Sequence, residues 1–94
     1  MLLELMERVT EAKTFSGKDF EIVKGNIDEE LAGLAVDAYA EGQHFISPKN
    51  LPGTGFVFKL KGKIYAVDTV KEKAYQVDVS ETDGVYFVRA KPAL

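Results

Sequence analysis

The chain has 94 residues, 46% of them hydrophobic and 29% charged, with a formal charge of −3, a balance that suits one globular domain with a modest core and excludes a disordered chain. It has no cysteine, which excludes disulfides, thiolate metal sites and a thiol nucleophile and suits a reducing cytoplasm. No apolar run approaches the roughly 20 residues of a membrane span, and Met1-Leu2-Leu3, soon followed by Glu4 and Glu7, lacks the basic start of a signal peptide.

Residues 2–13 read as an amphipathic helix. Leu2, Leu5, Met6, Val9 and Ala12 recur at three- and four-residue spacing, with Glu4, Glu7, Arg8 and Glu11 on the other side. Ser16-Gly17-Lys18 breaks that pattern. Phe20, Ile22 and Val23 leave a short strand open at 19–24. A second helix is predicted over 27–41, with Asn26 as its cap, Glu29 three positions on, and Asp28, Glu29 and Glu30 at the positive end of its dipole. Ile27, Leu31, Leu34, Ala35 and Ala38 form its buried stripe, and Gly42 is a natural left-handed terminator.

Residues 43–55 read as a loop, because Pro48, Pro52, Gly53 and Gly55 interrupt regular structure. Four runs rich in β-branched and aromatic residues follow, at 56–60, 64–69, 75–79 and 85–90. Lys61-Gly62-Lys63, Lys71-Glu72-Lys73 and Thr82-Asp83-Gly84 separate them, and Asp83-Gly84 is the strongest hairpin signal. The expected fold is a single α+β domain over 1–94. It is a two-layer sandwich, with two helices on one face of a mainly antiparallel four-stranded meander. A strongly curled sheet is the alternative.

Residues opposite each other in an antiparallel pair project to the same side. The turns suggest that Phe58 meets Val67, Val67 meets Val77, and Val79 meets Val88. This register puts Phe56, Phe58, Leu60, Tyr65, Val67, Tyr75, Val77, Val79, Tyr86 and Val88 beneath the helices. A one-residue slip in the middle hairpin would bring Gln76 and Asp78 to the buried side, where unpaired polar groups are costly. The opposite face then carries Val57, Lys59, Lys61, Ile64, Ala66, Asp68, Gln76, Asp78, Phe87 and Arg89.

His44, the only histidine, stands near Ser47 but without the glycine elbow of a nucleophile site. One histidine and scattered carboxylates give no metal-ligand spacing, and Asp28, Glu29 and Glu30 are first-turn helix residues. Pro52-Gly53-Thr54-Gly55 precedes a strand rather than a helix and lacks the phosphate-loop lysine. No catalytic residue, metal or cofactor is predicted.

Charge is uneven: residues 1–47 hold ten acidic and four basic side chains, residues 48–94 five and eight. Phe87, with Ile64, Val57, Lys59, Lys61 and Arg89 around it, is the expected binding surface. The reading that follows is a non-enzymatic, cytoplasmic interaction or regulatory module. It acts through its outer sheet face on a protein partner or on a second copy of itself, away from membranes. The alternative is single-stranded nucleic-acid binding through Lys59, Lys61, Lys63, Lys71 and Lys73.

Overall fold

A computed structural model describes residues 18–93. The helix expected at 2–13 lies outside the described residues. The architecture is α+β, with six strands in one mixed sheet and one helix among the described residues. In chain order these are β1 (Asp19–Lys24), α1 (Glu29–Glu41), β2 (Ile46–Leu51), β3 (Gly55–Leu60), β4 (Lys63–Asp68), β5 (Lys73–Thr82) and β6 (Val85–Pro92). The strand order is β1-β6-β5-β4-β3-β2. β1 runs parallel to β6, and every other neighbouring pair is antiparallel. α1 is about 20 Å long and lies across one face of the sheet, touching all six strands.

Local chemistry places the helix. Asp28, not Asn26, is its N-cap: the Asp28 carboxylate accepts from the N–H groups of Glu30 at 2.9 Å and Leu31 at 3.3 Å. The Asn26 carbonyl is instead committed to the Tyr75 hydroxyl, 3.0 Å away. Gly42 ends α1 at φ 73°, its N–H donating to the Tyr39 carbonyl, as the sequence predicts.

The expected loop at 43–55 contains β2. Pro48 is tolerated there because β2 is an edge strand, and its pairing with β3 is irregular between Ile46 and Lys49. The four-stranded meander is therefore a five-stranded one. The short strand left open at 19–24 exists and borders β6 in parallel.

The register also differs. The last hairpin is as expected, with Thr82 opposite Val85 and Val79 opposite Val88. In the first, Lys61-Gly62 forms the turn with positive φ at both residues, so Phe58 meets Tyr65. That moves the pairing by two residues and keeps its parity. The middle hairpin changes parity. Asp68 pairs with Lys73, so residues 69–72 form a four-residue connection. The Asp68 carboxylate holds it by accepting from the N–H groups of Val70 at 3.0 Å and Lys71 at 2.9 Å. Thr69 adds a bond through its hydroxyl to the Thr54 carbonyl at 3.1 Å. Tyr65 and Val67 thus share a face with Gln76 and Ala74 rather than with Val77 and Val79.

The helix consequently covers the other side of β3 and β4. Val57, Ile64, Ala66, Tyr75, Val77, Val88 and Ala90 form the core with Leu31, Ala32, Ala35 and Ala38 of α1. These sheet residues are mostly small or β-branched, and they let an alanine-rich helix sit close. Each fully buried aliphatic side chain contributes about 1.5–3 kcal/mol. At the sheet's end the backbones nearly touch. A Cβ on Gly55 would stand 1.9 Å from the Val67 carbonyl oxygen, so this position takes no side chain unless the backbone shifts.

Candidate interaction face

The strand register lays out the bare side of the sheet as rows. One row runs Phe56, Val67, Ala74 across β3, β4 and β5. The next runs Phe58, Tyr65, Gln76, Lys91 across β3, β4, β5 and β6. Beside it stand Leu60 paired with Lys63, and Asp78 paired with Arg89, which registers with Lys24 of β1. Phe87 lies two residues before Arg89 in β6, between Ser80 and Glu21.

Phe56, Phe58 and Tyr65 form a stacked ladder. Ring centroids are 6.2 Å apart for Phe56 and Phe58 and 5.3 Å for Phe58 and Tyr65, with interplanar angles of 28° and 23°. All three rings are half-buried, and Leu60 at the end of the ladder is 48% exposed. No described element packs over them, because α1 occupies the opposite face. Alongside the ladder, Lys24, Arg89 and Lys91 line a cleft of about 160 Å³ with Asp78 and Ala90. The two ion pairs among the described residues lie elsewhere, joining Lys18 to Asp37 and Lys49 to Glu41. Among the described residues, none of the three cations therefore makes an ion pair.

Of the six residues expected at the binding surface, Phe87 and Arg89 do lie on the bare face, and Lys61 is exposed in the β3–β4 turn. Val57, Ile64 and Lys59 lie beneath α1, at 0%, 4% and 8% exposure. The change of parity in the middle hairpin accounts for this. Lys59 is buried and donates from Nζ to the Ala38 carbonyl at 3.4 Å, toward the helix's negative end. Phe87 is separated from the aromatic ladder by the charged row. The turn lysines divide as well: Lys61 and Lys63 stand at one end of β4, while Lys71 and Lys73 stand about 17–20 Å away at the other.

Sequence reasoning missed the ladder, Lys24 and Lys91. A signal was present in Asp68, whose short carboxylate two and three residues before Val70 and Lys71 is a turn-forming arrangement. Had it been read as the turn's anchor, β4 would have paired in the observed parity.

The remaining candidates take structural places. His44 is exposed; its ring lies beside Gly62, whose N–H donates to the His44 carbonyl at 2.9 Å. No hydrogen bond joins it to Ser47, also exposed. Thr54 in the glycine-rich turn ties β2 and β3 to the β4–β5 connection. A cleft of about 350 Å³ lies between Gly25, Asn26, Glu72, Lys73, Tyr75 and Pro92, away from His44 and Ser47. Among the described residues, no group of three or more histidine and carboxylate side chains is placed to hold a metal, and no helix is long and apolar enough to cross a membrane.

No family model, curated protein or solved structure matches this chain.

Proposed function

We propose that this chain is a non-enzymatic cytoplasmic interaction module that binds a protein partner through the bare face of its sheet. The observation that carries the reading is the ladder of Phe56, Phe58 and Tyr65, continued by Leu60 and Val67, with no described element over it. Single exposed apolar residues are ordinary, but a contiguous aromatic patch bordered by charge is the composition of a protein-binding surface. The core of the described residues is built on the other face, and none of them covers the ladder, which supports its use by a partner.

Two observations favour a protein over a nucleic acid. The rings stack on one another, which leaves fewer ring faces for bases to stack on. The turn lysines stand at opposite ends of β4, and Asp78, Glu21 and Asp19 share the bare face.

The test is affinity capture on the full chain, followed by identification of the partner and reconstitution of the complex from purified components. Wild type is compared with Leu60→Glu and Tyr65→Ser, each checked for folding by circular dichroism. Binding lost in both and kept in Phe87→Ser supports the reading. Binding unaffected by Leu60→Glu and Tyr65→Ser, or Tyr65 as resistant to nitration in the free protein as buried Tyr75, defeats it. So does a wild-type dimer that Leu60→Glu converts to monomer, since a second copy would then occupy the face.

A further inference from the structure

The geometry points to an acidic partner segment, one that carries an apolar anchor and, about four positions on, a carboxylate on the same side of an extended chain; this rests on the protein-binding reading above. The row across the bare face runs from Phe58 and Tyr65 through Gln76 to Lys91, changing from aromatic to cationic over four strands. Strands are about 4.8 Å apart, so Phe58 and Lys91 are separated by about 14 Å. An extended peptide laid across the strands advances about 3.3 Å per residue, so a carboxylate about four positions from an apolar anchor would arrive at Lys91.

The cleft beside that row is shaped for such a group. Lys24, Arg89 and Lys91 surround it against one carboxylate, Asp78, and none of the three cations is held in an ion pair with another described residue. The whole chain has a formal charge of −3, while residues 48–94, which supply Arg89 and Lys91, hold eight basic and five acidic side chains, so the cleft is a positive site on an acidic protein. A short segment whose few carboxylates meet the cleft gains the local attraction. A long uniform polyanion would also meet the acidic surroundings. Arg89 can hold a carboxylate with two parallel hydrogen bonds. The ladder beside it supplies the apolar contact that gives such a peptide its affinity.

Fluorescence polarisation on the full chain tests this with three labelled probes. They are a peptide of about eight residues that carries Leu or Phe and Glu four positions apart on one side of an extended chain, long enough to cross the sheet, its Lys-for-Glu counterpart, and a mixed-sequence single-stranded DNA of about 12 nucleotides. The Glu peptide is expected to bind, and to weaken about tenfold in the Arg89→Glu, Lys91→Glu double variant and severalfold between about 50 and about 300 mM NaCl. The Lys peptide is expected not to bind. Equal binding of both peptides, no binding of the Glu peptide, or indifference to the charge reversals overturns the acidic segment. In each of those cases, a reconstituted partner still lost by Leu60→Glu keeps the protein-binding reading standing. DNA bound more tightly than the Glu peptide, with loss in Tyr65→Ser, overturns both.

Discussion

The two faces of the sheet solve different problems with different apolar side chains. Beneath α1, Val57, Ala66, Val77, Val88 and Ala90 are nearly inaccessible, and the polar groups there have partners. Lys59 bonds to the Ala38 carbonyl, and Asp68 caps its turn. On the bare face the larger residues Phe56, Phe58 and Tyr65 are half-buried against one another, and their cationic neighbours make no ion pair among the described residues. Close packing selects for small and branched side chains that let a helix approach, whereas a recognition surface has use for large rings. Bulk alone is therefore a poor guide to which side of a sheet is the inside.

The sharpest way to break this comparison is to delete the same kind of mass on each side. Leu31 of α1 is fully buried, so Leu31→Ala is expected to cost about 3–4 kcal/mol, including the cavity it leaves. In a domain of this size that lowers the melting temperature by roughly 15 °C or more. Phe58→Ser on the bare face removes a larger side chain but leaves no closed cavity, and about 1–2 kcal/mol is expected. Calorimetric melts of the two variants check this. A larger loss for Phe58→Ser would mean that the ladder belongs to a core.

Lys59 sharpens the point within the inner face. The residue is 8% exposed, and its amine meets a carbonyl at the helix end. Lys59→Ala should cost about 2 kcal/mol through lost packing and the lost hydrogen bond, while Lys59→Met should stay within about 1 kcal/mol of wild type because its volume and stem survive. Chemical denaturation of the pair measures the difference. Equal losses would show that the charge, not the stem, is what the site needs.

Legibility followed locality. The last hairpin was readable because Asp83-Gly84 sets a two-residue turn with positive φ at both positions, and the turn alone sets the register. The end of α1 was readable from Gly42 for the same reason. The start was displaced because Asn26 and Asp28 are both competent caps, and a distant hydrogen bond from Tyr75 engages the Asn26 carbonyl. β4 was opaque: Ile64, Tyr65, Ala66 and Val67 are apolar on both parities, so alternation cannot say which side is inside. The decision lies in the length of the β4–β5 connection, which Asp68 sets locally and Thr54 secures from 15 residues away. The binding face inherited that error, since Val57, Ile64 and Lys59 moved inside while the aromatic ladder moved out. β2 was hidden by Pro48, which only an edge strand with irregular pairing can carry.

A smaller effect probes how α1 is seated on the inner face. Asp28→Ala removes the carboxylate that receives the N–H groups of Glu30 and Leu31, and about 1 kcal/mol of stability should go with it. Asn26→Ala leaves its backbone carbonyl free to accept from Tyr75 and should be close to neutral. Urea unfolding of both variants would show which residue is the cap, and a greater loss at Asn26 would return the cap to the position that the sequence alone suggests.

The smallest expected change in stability carries the largest functional consequence. Leu60 is 48% exposed and ends the aromatic ladder, so Leu60→Glu removes little packing and should shift stability by no more than about 0.5 kcal/mol. It also places a negative charge beside apolar rings and on the side of the face that an acidic segment would meet, where like charges repel. Unchanged melting together with lost partner binding would separate recognition from folding on one residue. A large drop in melting temperature would instead show that something packs on Leu60 in the free protein. The contrast between a committed face and an uncommitted one would then no longer hold.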